Sequence, residues 1–374
     1  MTHKIDKTKQ IRSFKEVLEA YFETTPSYAC EYGNGHINDT FLIECGKRYI
    51  LQRMNTTVFL HPVELMENIY GVTEYIRNYL KENNNSKICT LTIVPTLDGR
   101  AFYIDSLGNF WRLYDFVEGS VTYEKVREPE DFYKCAVAFG NFQRLLSDYP
   151  VEKLNLTIIN LHNTPWRYEK LFEAAANNLI KRADHIKDEL DFVRARKDVC
   201  DILEKAHTEG RLPLRVTHND TKLNNILFDE ITSEPLCVID LDTVMPGYSV
   251  TDFGDSIRFG ANTANEDEIN VSKVSLDLEL FREYARGFIQ GCADILTEDE
   301  VKLLPYGALV ITLECGIRFL TDYLNGDVYF KIHRPKHNLE RARCQFALVR
   351  DMENKLESMI QIVDELYTSF KNNA

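Results

Sequence analysis

One segment constrains the fold of this chain more than any other. Between regions of long helical periodicity lies a single non-helical island, residues 214–260, which holds two strand-like runs. Before residue 118 the pattern is different: apolar residues fall in short alternating runs separated by glycine turns. Tyr32–Glu44, Tyr49–Met54, Ala101–Asp105 and Phe110–Val117 read as strands, the last two flanking a turn at Ser106–Asn109. Ser13-Phe-Lys-Glu16 reads as a capping box opening a short helix with Phe14, Val17, Leu18, Tyr21 and Phe22 on one face. A second helix is predicted from Pro62 to Leu80. After residue 118 the helical patterns run long: Phe132–Leu146, Trp166–Ile180, Ala183–His207, Leu276–Ile289, Glu298–Leu320 and Leu339–Tyr367. The expected class is α+β and bilobal, with a small antiparallel-sheet lobe over 1–117 and a larger, mostly helical lobe over 118–374.

Charge and cysteine usage remove several function classes. The formal net charge of −14 opposes binding to a nucleic-acid backbone or an anionic membrane surface, and no basic patch offsets it. The nine cysteines are odd in number and widely spread, with no CxxC and no Cys/His zinc spacing. Reduced thiols are therefore expected, not a disulfide framework or a structural zinc. The N-terminal MTHKIDKTKQ has no apolar core, and no run of 18 apolar residues occurs, so a cytoplasmic location without a membrane partner is expected.

The island reads His218-Asn-Asp220-Thr-Lys222-Leu-Asn-Asn225-Ile-Leu-Phe-Asp229, then, after a polar turn, Leu236-Cys-Val-Ile-Asp240-Leu-Asp242. Phosphoryl transfer to an alcohol requires a carboxylate near the hydroxyl and oxygen ligands for the metal on the phosphates. Asp220 and Asn225 have the HxDxxxxN spacing that suits those two tasks. A hairpin centred between Thr232 and Ser233 would set Asn225 opposite Asp240, with Cβ atoms roughly 5 Å apart. That placement lets them share one magnesium ion.

The string HNDTKLNNILFD…VIDLDTVMPG…DFGDSIR resembles the aminoglycoside phosphotransferase/choline kinase superfamily, whose fold is protein-kinase-like. More narrowly the chain is similar to the bacterial N-acetylhexosamine 1-kinases, through GNGHINDTF, YILQRMN, LMENI, WRLYDFVEG and RFLTDYLNGDVYF as well, so the likeness spans nearly the whole sequence. The resemblance implies ATP and Mg²⁺ as cofactors and a small N-acetylated hexosamine as the molecule phosphorylated. It makes Asp220 the base or hydroxyl-orienting group and Asn225 and Asp240 the magnesium ligands. His218, Asp242 and Asp255, with Asp252, become supports of the catalytic loop. Lys222 lies within that loop, where it either touches the transferred phosphate or is solvated.

At the nucleotide end, Gly33 and Gly35 resemble a phosphate-covering loop, since glycines let backbone N–H groups approach phosphate oxygens. The lysine that protein kinases carry on the third strand is missing. Arg53 stands in for it with Glu67 as its partner, although a one-residue shift would aim Gln52 inward instead. Leu113–Val117, with Tyr114 and Phe116, reads as the hinge that meets adenine. At the acceptor end His36, Asp39, Arg318 and Tyr329 are the candidates, while an i, i+4 ion pair between Arg318 and Asp322 is the competing explanation. Two rival readings remain. One is the same fold acting on an aminoglycoside, choline, homoserine or methylthioribose; the other is a kinase-like fold that binds without catalysing.

Overall fold

The computed structural model describes residues 7–33, 37–84 and 87–373. The chain forms two compact units. One comprises the chain up to Val121 with Glu152–Ile158 and Leu227–Met245; the other comprises Thr122–Val151, Ile159–Ile226 and the chain from Pro246. The short hairpin that follows the catalytic segment therefore belongs to the first unit, although it lies far along the chain.

The first unit opens with α1 (Lys7–Tyr21), then β1 (Tyr28–Glu31), β2 (Asp39–Cys45), β3 (Lys47–Arg53), α2 (Pro62–Glu82), β4 (Ile93–Val94), β5 (Tyr103–Ile104) and β6 (Phe110–Asp115). The sheet runs in the order β1-β2-β3-β6-β4, with β5 paired to β6, and these pairings are antiparallel. Because side chains alternate across a strand, register decides which residues share a face. Phe41, Leu51 and Leu113 are aligned across β2, β3 and β6, and they pack with Val17, Tyr21, Ile43 and Trp111 against α1. Thr40, Gln52 and Arg112 are aligned one position over, so they occupy the opposite face.

Ser13 lies inside α1 rather than capping it. Its hydroxyl donates to Asp105 Oδ2 at 2.5 Å, a buried partner 92 residues away that outcompetes the local cap, and Glu16 instead accepts from the Tyr103 hydroxyl at 2.7 Å. A second sheet joins β7 (Ser120–Val121), β9 (Ile226–Asp229) and β10 (Pro235–Val238) in the order β10-β9-β7. The β9–β10 turn closes with Asp229 N–H donating to the Glu234 carbonyl at 2.8 Å. Near the turn this is a register two residues different from the expected one. Asp240 accordingly lies beyond the end of β10, in the left-handed region with φ 58°.

The second unit is mostly helical. It contains α3 (Pro129–Leu145), α4 (Thr164–Asn177), α5 (Lys187–Arg194), α6 (Lys197–Thr208), α7 (Ser249–Gly260), α8 (Leu278–Cys292), α9 (Glu298–Asn325) and α10 (His337–Asn373), together with the short strands β8 (Arg215–Thr217) and β11 (Met245–Gly247) that form a two-stranded sheet. The expected helix over 183–207 is broken at Ala195-Arg196. There the Arg196 side chain donates to the Phe192 carbonyl at 3.0 Å and pairs with Glu353 of α10. The 28-residue α9 is long and apolar enough to cross a membrane, but 83% of its most apolar window is buried within the protein. It begins with a capping box between Thr297 and Glu300. The fully buried Glu300 carboxylate also receives Arg215 of β8 at 2.5 Å and Ser249 of α7 at 2.8 Å, which ties three elements together.

Helices α7 and α9 cross at two glycines. A Cβ on Gly254 would sit 2.4 Å from the Gly307 carbonyl oxygen, and one on Gly307 would sit 2.2 Å from that of Val250. Backbone cannot step aside as a side-chain tip can. Gly254→Ala is therefore expected to cost about 1–3 kcal/mol, read as a lowered denaturant midpoint; an unchanged midpoint would show that the helices separate freely.

Candidate active site

The sequence places an Asp, an Asn and a second Asp around a strand end, and the structure shows what holds each of them. In the second unit the chain leaves β8 and enters His218–Asn225. The buried Asp252 of α7 accepts His218 N–H at 2.9 Å and Asn219 N–H at 2.7 Å, one on each carboxylate oxygen. Gln143 Nε2 donates to the same carboxylate at 2.9 Å, and the Thr221 hydroxyl donates to the Asp252 carbonyl at 2.5 Å. The His218 ring, fully buried, lies edge-on between Phe139 and Phe142 and receives Asp220 N–H at 3.3 Å. The ring thus packs within the unit and accepts from the loop backbone. Asp255 has another task from the one foreseen: its Oδ1 pairs with Arg258 at 3.0 and 2.8 Å, and the loop backbone is held by Asp252.

Asp220 emerges from this clamp with its side chain fixed twice. Lys222 Nζ lies 2.7 Å from Oδ1, and Asn225 Nδ2 donates to the Asp220 carbonyl at 2.8 Å and to Oδ2 at 3.1 Å. Burial alone would favour the neutral acid, but Lys222 and His218 more than offset it and hold the carboxyl below the usual aspartate range. Lys222 is in turn raised by Asp220, with Asp255 adding to the effect. Lys222 is thus a charged partner of the Asp220 carboxylate.

In the first unit the cation that meets Asp242 is Arg112, on the strand next to β3. Gln52, not Arg53, lies on the face of Asp242: Arg112 of β6 donates to Gln52 Oε1 at 3.0 Å and is ion-paired with Asp242, both members being 2% exposed. Asn38 Nδ2 donates to the other Asp242 oxygen at 2.6 Å, and Gln52 Nε2 reaches Thr40 at 3.1 Å. Burial opposes the Arg112 charge, while Asp242, Tyr114 and Asp240 together raise its pKa. Arg53 points to the α1 face, where its Nε pairs with Asp39 at 2.7 Å; that pairing also engages Asp39, which was expected to meet the acceptor. Glu67 is exposed and accepts from Asn155 at 3.0 Å, so it is not the partner of Arg53. The inward residue of α2 is Asn68, which donates to the carbonyls of Asn155 and Val244 at 2.9 and 3.0 Å.

Gly33 is in the left-handed region, φ 77°, beside a shallow cavity also lined by Asn38, Asp39, Arg53 and Trp111. Gly35 and His36 lie outside the described residues. In the segment read from the sequence as a hinge, Tyr114 is buried, Arg48 covers the Phe116 ring at 4.1 Å, and the Phe116 N–H is spent on the Arg48 carbonyl.

Asn225 and Asp240 offer the oxygen donors a hard divalent cation takes. Asn225 spends its amide N–H groups on Asp220, which leaves Oδ1 as an acceptor. Among the described residues no group of three or more His, Cys, Asp or Glu is placed to hold a metal.

The acceptor candidates of the second unit surround a pair that the sequence did not reveal. His162 Nδ1 lies 3.0 Å from the buried Glu314, its Nε2 lies 3.3 Å from the Asn219 carbonyl, and Thr164 donates to Glu314 at 2.7 Å. Burial disfavours a charged imidazole, but Glu314 outweighs it and His162 is raised above its ordinary value. Protonated, it donates to both neighbours. Arg318 does not pair with Asp322: that carboxylate accepts the N–H groups of Val328, Tyr329 and Phe330 at 2.8–3.0 Å, shaping the loop that carries the exposed Tyr329. Among the described residues Arg318 makes no hydrogen bond or ion pair; it lies 5.6 Å from the Phe330 ring. Arg167, unmarked in the sequence reading, has a buried Nε without a partner, and its pKa is lowered by burial and by Arg318.

A carboxylate held below the usual aspartate range by a neighbouring lysine, on a loop clamped by a helix side chain, suits phosphoryl transfer, and comparison with known proteins agrees. The model of the phosphotransferase enzyme family, APH, matches residues 29–285. The chain belongs to that family. Its fold is similar to an aminoglycoside phosphotransferase from Alicyclobacillus acidocaldarius (14% identity, 94% of this chain and 96% of that one, TM-score 0.62). It is also similar to choline kinase from Cryptosporidium parvum (14%, 97% and 99%, TM-score 0.55) and to an amicoumacin kinase solved with AMP-PNP and Ca²⁺ (16%, 94% and 96%, TM-score 0.58). These likenesses establish the kinase-like α+β fold.

Two outcomes test this geometry. Arg112→Met leaves Asp242 buried without its cation and is expected to cost about 3–5 kcal/mol; adding Asp242→Leu recovers part of the loss, and no recovery would show that the two residues act separately. For His162, a folded pKa above the unfolded value means that its stabilisation is fully present below about pH 6.5 and is lost as pH rises through the folded value. The stability gap between the wild type and His162→Gln should therefore shrink with rising pH in denaturant titrations; a pH-independent gap would exclude a charged His162.

Proposed function

We propose that the protein transfers the γ-phosphate of Mg-ATP to the anomeric hydroxyl of an N-acetylhexosamine, giving the sugar 1-phosphate. The observation that carries the catalytic part is Asp220: a carboxylate kept ionised by Lys222, oriented by Asn225 and mounted on a loop whose backbone is clamped by Asp252. Asp220 orients the acceptor hydroxyl and receives its proton as the new oxygen–phosphorus bond forms and the bond to the β-phosphate oxygen breaks, releasing ADP. Asn225 Oδ1 and the Asp240 carboxylate would hold the magnesium ion, which would supply positive charge against the phosphate oxygens. Arg112 and Asn38 fix Asp242, two residues from that ligand, and keep the strand end rigid.

The charge around Arg318 favours a neutral sugar over the cationic acceptors for which choline kinase and the aminoglycoside enzymes are named. Arg167 and Arg318 repel one another, and Glu314, the nearby carboxylate, is already engaged by His162 and Thr164. A quaternary ammonium or polyamine placed there would add to that repulsion, whereas sugar hydroxyls and an acetamido carbonyl accept from guanidinium groups without charge. Arg318, with Tyr329 on the loop that Asp322 shapes, is the pair assigned to the acceptor.

ADP release should be followed with Mg-ATP and a panel of N-acetylglucosamine, N-acetylgalactosamine, glucose, galactose, choline, homoserine, methylthioribose and kanamycin. Turnover confined to the N-acetylated sugars is expected. Turnover with choline or kanamycin would overturn the acceptor reading and leave the kinase; silence together with failure to bind Mg-ATP would favour a binding protein. Asp220→Ala should abolish turnover and retain nucleotide binding, while Asp240→Ala should weaken metal-dependent nucleotide binding. Unchanged turnover in Asp220→Ala would remove the catalytic loop from the mechanism.

A further inference from the structure

The peptide group that joins Asn219 to Asp220 is gripped at both edges. Its N–H, which belongs to Asp220, donates to His218 Nδ1 at 3.3 Å, and its carbonyl, which belongs to Asn219, lies 3.3 Å from His162 Nε2. The two N–H groups before it are held by Asp252 of α7. His162 supplies what α7 does not, a partner for the carbonyl immediately ahead of Asp220. Its Nδ1, 3.0 Å from Glu314, links that carbonyl to α9.

His162 is itself firmly mounted. Arg167 donates to the Leu161 carbonyl at 3.2 Å, and the Asn163 side chain caps α4 by accepting Trp166 N–H at 3.0 Å, so the residues on either side are fixed. The His162 side chain is 13% exposed and that of Glu314 1%, which leaves little room for water to replace a lost contact.

Both ring nitrogens face acceptors, one a carboxylate oxygen and the other a carbonyl oxygen. A neutral imidazole carries one N–H and satisfies one of them; the imidazolium satisfies both. Burial alone would raise the Glu314 carboxyl, but His162, Arg318 and Thr164 outweigh it and hold the group below the usual glutamate range, so it stays an acceptor. When His162 loses its proton, the remaining N–H stays with the charged carboxylate, the stronger partner. Nε2 then turns a lone pair towards the Asn219 carbonyl, and an attraction becomes a repulsion. Asn219 has φ 64°, a conformation that relaxes readily once a constraint is removed. Burial and Arg318 of α9 oppose the cation, Glu314 of α9 and Asp255 of α7 favour it, and Arg167 of α4 lies against Arg318.

We propose that His162 is a positioning residue for phosphoryl transfer: its imidazolium, bridging Glu314 and the Asn219 carbonyl, fixes the peptide from which Asp220 projects. The proposal rests on Asp220 as the group that meets the acceptor hydroxyl. Because the folded pKa of His162 is raised, the bridge is complete below about pH 6.5 and is lost as pH rises through the folded value.

Two readouts on the full chain test this. The first is the ¹³C carbonyl resonance of Asn219, followed against pH together with the ring nitrogens of His162. Both should move with one midpoint, and that midpoint should fall in Glu314→Gln. The Asn219 resonance should stand still in His162→Gln, where the glutamine keeps one donor group for Glu314 and cannot span both acceptors. The second readout is kcat with saturating Mg-ATP and N-acetylglucosamine. It should drop about tenfold as pH rises through the midpoint, with KM for the sugar little changed, and His162→Gln should carry the reduced kcat on both sides of it. An Asn219 resonance that ignores the His162 titration would overturn the proposal. So would a folded His162→Gln variant whose kcat equals that of the wild type on the acidic side. A loss confined to KM would overturn it too, because it would put His162 at the acceptor instead of behind the loop. If His162→Gln does not fold, the wild type still decides: a kcat midpoint that differs from the ring midpoint contradicts the inference. The resonance titration needs no acceptor, so it judges His162 even where N-acetylglucosamine is not turned over, and the two readings fail separately.

Discussion

The loop that carries Asp220 depends on one buried carboxylate. Asp252 accepts the backbone N–H groups of His218 and Asn219, one on each oxygen, and so fixes the two residues that precede Asp220. Buried backbone donors need partners, and here a helix supplies both from one side chain. Asn219 has φ 64°, a conformation that a non-glycine residue holds only when its surroundings enforce it. The enforcement continues outward: α7 carries Asp252, and α7 is seated on α9 through Gly254 and Gly307 with no room for a methyl group. The position of the Asp220 carboxylate is thereby set from helix packing, through a single side chain, to a loop.

Electrostatics in the two units follow a common plan, in which each functional acid is fixed by a neighbour before any substrate arrives. Asp220 has Lys222 and Asn225, and Asp242 has Arg112 and Asn38. A buried pair such as Arg112–Asp242 adds little net stability compared with apolar residues of the same size, yet losing one partner is severe. Its value lies in specifying geometry: it holds the strand end from which Asp240 projects. That Asp240 itself has φ 58° fits the same picture of a backbone held in a sparsely populated conformation where chemistry is done.

The sequence made the fold class and the core of the catalytic loop legible, because both are local signals. Alternating runs give way to helical periodicity near residue 118, and HxDxxxxN lies within eight residues. What it could not settle was long-range. Choosing between Gln52 and Arg53 needed the register of β3 against β6, where one residue exchanges the two faces. The Arg112–Asp242 pair was invisible because its members are 130 residues apart, and His162–Glu314 is separated by 152. The Ser13 capping box was a correct local pattern overridden by Asp105, which offered a buried acceptor. Asp322 looked like one end of a helical ion pair, whereas it organises the loop that follows α9.

The most direct test of the account is the chemical identity of the product. Incubation with Mg-ATP and N-acetylglucosamine, followed by proton-coupled ³¹P NMR, reads both the transfer and the atom that receives phosphate. The account predicts a phosphomonoester signal coupled to the anomeric proton, formed in step with ADP and absent from the Asp220→Ala variant. Phosphate coupled to a C6 methylene, or ADP accompanied only by inorganic phosphate, would contradict it.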